Sequence, residues 1–382
     1  VEREHLASLF QENFTRFGEL GAAISIWRDG KSVLDLHGGF RDAKREQPWT
    51  ADTLVLFWSA TKGLGSACLL HVLQERDIWL ERRVAEFWPE FGRAGKEQIT
   101  FAELLSHQAG LSALDERADI LDYAAVIAAL EKQKPLWPPG TAHGYHARTF
   151  GFLVDECVRR IAGKPIAEYW RETFANPLDL EVWIGLPDSQ LHRTATIYAA
   201  KAGGEHSPPE FYRQLATPGT LVKKTFTSPA GLSSVAAMNT KENRALQIVS
   251  FSGIGSASSL AKFYAMLAND GEMDGRRYFK TETIAQMTTP LASGIDRILQ
   301  LPTAFSAGFM KDAPETPQRI FGPSASAFGH PGAGGSNAFA DPESGIAFAY
   351  VMNQMEQSLL PNEKSLRLVD AIYERNQSSS RA

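Results

Sequence analysis

Two strand–turn–strand signals stand at opposite ends of this chain with a long helical stretch between them, and few architectures accommodate that order. Near the start, Ala22-Ala23-Ile24-Ser25-Ile26-Trp27 and Ser32-Val33-Leu34-Asp35-Leu36 flank Arg28-Asp29-Gly30-Lys31, whose Asp-Gly pair is a hairpin signal. Near the end, residues 336–340 and 346–352 flank Asp341-Pro342-Glu343-Ser344-Gly345, again with turn chemistry in the middle. Between them apolar residues recur at helical spacing from Lys62 to about Leu80, from Phe150 to Ile161 and from Leu260 to Asn269. Pro- and Gly-rich loops such as Pro135-Leu136-Trp137-Pro138-Pro139-Gly140 separate these helices. Further helices are predicted over residues 4–17 and 366–375. The economical solution is an α+β fold, with one antiparallel sheet built from both chain termini and flanked by helices. The expected division is an α/β sandwich of residues 1–75 and 285–382 and an inserted, mostly helical domain of residues 76–284. The cleft between the two is the expected place for a site.

Composition narrows the function classes. A chain of 382 residues with 43% hydrophobic and 22% charged residues can bury a sizeable core without covalent staples. Its only two cysteines, Cys68 and Cys157, lie in apolar helical patterns and exclude a disulfide framework. A net charge of −5 argues against nucleic acid as a partner, because the basic residues are mixed with acids, as in Arg41-Asp42-Ala43-Lys44-Arg45-Glu46. No run approaches the ~20 apolar residues of a membrane span. A cytoplasmic location is the expectation for a chain opening Val1-Glu2-Arg3-Glu4-His5; a processed end would fit the periplasm or secretion. No His-Glu-x-x-His, paired Cys/His spacing or phosphate-cradling Gly-rich loop occurs, so no metal and no cofactor is expected.

The chemistry-bearing feature is Ser59-Ala60-Thr61-Lys62, which follows the apolar run Leu54-Val55-Leu56-Phe57-Trp58 and opens an apolar helix. At positions i and i+3 two side chains share a helix face, so the Lys62 amine can reach the Ser59 hydroxyl. A serine needs an adjacent base to become a nucleophile, and a lysine is one only when burial lowers its pKa. The spacing alone is not specific, since Ser259-Leu260-Ala261-Lys262 repeats it. That copy reads as a helix-start serine with a solvent-facing lysine. No complete Gly-x-Ser-x-Gly occurs, which disfavours the strand–elbow–helix hydrolases.

At these residues the chain resembles a known group. Phe57-Trp58-Ser59-Ala60-Thr61-Lys62-Gly63 resembles the active-serine motif of class C β-lactamases, penicillin-binding DD-peptidases and the related family VIII carboxylesterases. Thr100 to Leu111, containing Leu104-Leu105-Ser106-His107-Gln108-Ala109-Gly110-Leu111, is similar to the Leu-Leu-Ser-His-x-x-Gly-Leu segment of that superfamily. Pro138-Pro139-Gly140-Thr141 leading to Tyr145 resembles the approach to its second motif, and Gly329-His330-Pro331-Gly332 its third. The resemblance spans roughly residues 20–355.

The resemblance implies a β-lactamase/DD-peptidase-like fold and a covalent acyl-Ser59 intermediate, with Lys62 and Tyr145 sharing general acid/base work. It implies an oxyanion hole from the backbone N–H groups of Ser59 and Ala333. His330, Gly332, Trp58 and His146 are the expected substrate-binding residues, while His107 reads as structural. Two departures bear on substrate. Tyr145-His146-Ala147 stands where the lactamases and peptidases have Tyr-x-Asn, and His330-Pro331-Gly332 where they have Lys-Thr-Gly or Lys-Ser-Gly. Both remove groups that would hold a β-lactam or peptide, so the expected partner is a small neutral ester. The expected function is a carboxylesterase acting on short-chain acyl esters. The alternatives are a β-lactamase or DD-peptidase activity, or a non-catalytic ligand-binding relative.

Overall fold

A computed structural model describes residues 2–200, 209–316 and 319–374. Among the described residues eight strands form the main sheet: β1 (Gly21–Arg28), β2 (Lys31–Gly39), β3 (Ala292–Ile295), β4 (Pro302–Phe305), β5 (Met310–Lys311), β6 (Phe328–Gly329), β7 (Asn337–Asp341) and β8 (Ile346–Met352). Their order is β2-β1-β8-β7-β6-β5-β4-β3, antiparallel at each pairing. The two hairpins read from the sequence therefore join side by side towards one edge of the sheet, where β1 meets β8 with Ile24 opposite Tyr350. Asp29 and Gly30 both take positive φ, 49° and 71°, which gives the tight turn the twist of its strands.

Alternation along β1, β7 and β8 sorts residues by size. Ile24, Ile26, Phe339, Phe348 and Tyr350 share one buried core with Leu6 and Phe10 of helix α1 (Glu2–Thr15). Leu368, Val369 and Ile372 of the C-terminal helix Glu363–Tyr373 complete it. Arg375, where that helix is predicted to end, lies outside the described residues. Ala23, Ala338, Ala340, Ala347 and Ala349 point to the other face, into the core that contains helix Ala257–Ala268. Small side chains let that helix lie close to the sheet, while large ones fill the gap to the terminal helices.

Helix α2 (Thr61–Glu75) is buried over most of its length and packs against helix α3 (Thr149–Ala162). A helix buried on nearly all faces belongs at the centre of a domain, and that is where α2 lies. The packing interleaves the stretches that the sequence divides: helix Ala257–Ala268 covers the sheet, although its numbers fall in the inserted region. Cys68 and Cys157 are both free and buried. Among the described residues no helix is long and apolar enough to cross a membrane.

Candidate active site

The approach to Ser59 is fixed by a second, three-stranded sheet. Val55–Leu56 pairs with Gly253–Gly255, which in turn pairs with Val182–Ile184. The Phe57 N–H continues the ladder, donating to Gly253 O at 2.9 Å. The chain then bends at Trp58, whose φ of 53° is costly for a bulky side chain. Thr61 holds the bend. Its Oγ1 donates to Trp58 O at 2.5 Å and accepts the Gly253 N–H at 2.8 Å. Ser59 thus sits in a 3-10 turn, Trp58–Ala60, immediately before α2 begins at Thr61.

Lys62 is fully buried in the first turn of α2. Its Nζ lies 3.3 Å from Ser59 Oγ, 3.0 Å from Ala147 O and 2.8 Å from Ser250 O. Burial pushes the amine well below the usual lysine range. Carbonyl oxygens only accept, so two N–H bonds must point at Ala147 and Ser250. A neutral amine has two hydrogens and one lone pair, which leaves the lone pair for the Ser59 hydroxyl. An amine in that state and orientation can accept a proton from the hydroxyl.

Tyr145 is buried, with the Lys62 Nζ 4.8 Å from its ring centroid. Burial raises its phenol above the ordinary value, and its contact with the Ser59 hydroxyl acts in the opposite direction. On the facing side Gly332 approaches the nucleophile turn so closely that a Cβ there would lie 2.0 Å from Phe57 O. Ala333, which follows, is exposed, and Ser59 is half-buried. Trp58 is also half-buried, its ring 6.4 Å from that of Phe251.

The histidines differ from one another. His330 is buried with its ring 6.0 Å from that of Tyr145. Its Nδ1–H donates to Pro331 O at 2.8 Å, and Nε2 has no protein partner. Burial pushes it down to about 3, so the ring is neutral. His146, expected from the sequence to be a substrate-binding residue, is held by backbone groups. It is fully buried, Nε2 accepts the Leu111 N–H at 2.9 Å and Nδ1 donates to Gly144 O at 2.7 Å, so no ring nitrogen remains for a ligand. His107, at φ 61°, accepts the His146 N–H on Nδ1 at 3.1 Å and the Gly144 N–H on its carbonyl at 3.1 Å. It shapes the loop that carries Tyr145.

The structure brings Ser59, Lys62, Tyr145, His330 and Gly332 together, while Ser259 and Lys262 have other partners, the Glu181 N–H and Asp274. Sequence reasoning missed Thr61, Ser250 and Ala147. The last two act through backbone carbonyls, which no residue type announces; Thr61 lay inside the motif, and its position at the bend was the available signal. Among the described residues no cluster of three or more His, Cys, Asp or Glu side chains could hold a metal ion.

Comparisons with known proteins agree with this fold. The Beta-lactamase family description matches residues 7–371. The chain is 32% identical over 366 residues to "Esterase/beta-lactamase LipL" of Mycobacterium tuberculosis, covering 90% of this chain and 79% of that one. A penicillin-binding protein homologue from Caulobacter crescentus superposes with a TM-score of 0.87 at 36% identity, covering 97% of both chains. A family VIII carboxylesterase does so at 0.85 and 34%, again over 97% of each chain.

Proposed function

This chain belongs to the Beta-lactamase family, a hydrolase with esterase relatives, and from that premise we propose that it is a serine carboxylesterase for small neutral esters. The observation that carries the reading is the buried Lys62 amine, tied to two carbonyls and facing Ser59 at 3.3 Å. Lys62 takes the Ser59 proton as Oγ attacks the ester carbonyl. The tetrahedral oxyanion is met by the backbone N–H groups of Ser59 and Ala333. Tyr145, in contact with Ser59 and facing Lys62, delivers a proton to the departing alkoxide, which leaves as the alcohol. Water then attacks the acyl-serine, the same groups accept its proton, and the acid is released with Ser59 restored.

Substrate class follows from the third motif. A neutral His330 offers a lone pair where a cation would be needed to pair with the carboxylate of a β-lactam or peptide. His146, locked onto the backbone, offers no side-chain amide substitute. Both features favour an uncharged ester. The test is a burst of p-nitrophenol from p-nitrophenyl acetate and a mass adduct from a fluorophosphonate, both expected at Ser59. An adduct on Ser259 would overturn the assignment, and nitrocefin turnover exceeding that of the ester series would overturn the substrate class.

A further inference from the structure

The loop carrying Tyr145 is gripped from two sides. One grip is His107, already described. The other comes from the turn between β3 and β4, where Asp296 is fully buried. Its Oδ1 accepts three backbone N–H groups, from Tyr145 at 3.1 Å, Ile298 at 2.8 Å and Leu299 at 2.9 Å. Its Oδ2 accepts the Thr303 hydroxyl at 3.3 Å, and Thr303 Oγ1 lies 2.8 Å from His143 Nε2. If the threonine hydrogen goes to Asp296, the histidine must donate, which fixes a directional chain from His143 through Thr303 to the carboxylate. A return bond closes the staple: the Arg297 N–H donates to His143 O at 3.1 Å.

We propose that Asp296 is a positioning residue for the reaction, holding the Tyr145 backbone in register with Ser59 and placing a fixed negative charge behind the phenol. The inference rests on Tyr145 acting as the proton carrier. Every partner of the Asp296 carboxylate is a donor, so the ionised form suits the site, although burial pushes the group upward. The groups facing Tyr145 are Lys62, His107, His330 and Asp296. Asp296 itself faces His143, whose ring is held below its ordinary value by burial. Arg297, next to it in sequence, is exposed and lies over Trp137, 5.6 Å from the ring, rather than over the site. Asp296 is the one negative charge in this set. Removing it weakens proton binding at the groups it faces.

The test compares Asp296→Asn, Asp296→Ala and Tyr145→Phe with wild type, using circular dichroism and the pH dependence of kcat/KM on p-nitrophenyl acetate. Asparagine keeps an oxygen for the three N–H groups but drops the charge. It should fold normally, keep KM within about two-fold, lower kcat several-fold, and move the limb set by Lys62 and Tyr145 to lower pH by about half a unit. Alanine removes the acceptor as well, and kcat should fall about 100-fold if it folds. An Asp296→Asn enzyme with unchanged kcat and an unmoved limb, beside a crippled Tyr145→Phe, would make Asp296 merely structural and overturn the inference. A fully active Tyr145→Phe would instead overturn the reading of Tyr145, and the inference with it.

Discussion

The chain carries the same four-residue spacing twice, Ser59-x-x-Lys62 and Ser259-x-x-Lys262, and the two copies have opposite surroundings. Lys62 is fully buried, and its partners besides Ser59 are two carbonyls. Lys262 is about a quarter exposed (24%) and pairs with Asp274 at 3.5 Å. Ser59 stands on a strained turn, half-buried, in contact with a lysine and a phenol. Ser259 lies inside a helix capped three residues earlier by Ser256, and its Oγ is occupied in accepting the Glu181 N–H at 2.9 Å. Helical spacing only brings two side chains to one face. Whether the pair can do chemistry depends on what else the fold places around the amine: burial in a low dielectric withholds a proton from it, whereas a carboxylate and solvent keep it charged.

Substitutions can break this contrast in order of size. Ser59→Ala should abolish ester hydrolysis, a loss on the order of 10⁴-fold or more in kcat. Lys62→Ala should come close to it, because groups acting as a unit are not additive. Steady-state turnover of p-nitrophenyl acetate measures both, and a Lys62→Ala enzyme with most of its activity would refute Lys62 as base. Gly332→Ala should cost about 100-fold in kcat, comparable to loss of an oxyanion donor. A Cβ there would lie 2.0 Å from Phe57 O, so the 332–333 segment and the turn before Ser59 have to move apart. Wild-type turnover in that variant would show that the 332–333 segment is not part of the site.

The third prediction concerns stability rather than rate. Lys62 has its folded pKa depressed below the unfolded value of ~10.4, so the folded state binds fewer protons than the unfolded one in the window between the two. Stability from this group therefore rises with pH across that window. The melting temperature of Lys62→Met relative to wild type should shift in favour of wild type as pH is raised from neutrality towards 10. A pH-independent difference would mean that Lys62 is not neutralised by burial.

The legible parts of this protein were those that depend on side-chain type at short range. The hairpins at β1–β2 and β7–β8 show a period of two and turn residues, and α2 and α3 show apolar faces. Ser59, Lys62 and Tyr145 are chemically conspicuous residues at motif spacings. By contrast β5 and β6 have two residues each, too few to show any period, and they are strands only because neighbours pair with them. Asp296 is 151 residues from Tyr145, so nothing local connects them. Nor does the sequence show that both ring nitrogens of His146 are taken up by backbone groups of Leu111 and Gly144.

The smallest expected effect is the most discriminating for the spacing itself. Ser259→Ala removes one hydrogen bond from the Glu181 N–H, and Lys262→Met removes one partly exposed ion pair. The first should cost about 1 kcal/mol and the second ~0–1 kcal/mol of stability. Neither residue touches Ser59, so kcat and KM should stay at wild-type values once folded enzyme is counted by active-site titration. A large fall in kcat in either variant, with the titrated Ser59 population unchanged, would mean that the second serine–lysine pair takes part in turnover. Spacing would then matter more than the buried, carboxylate-free surroundings that set Lys62 apart.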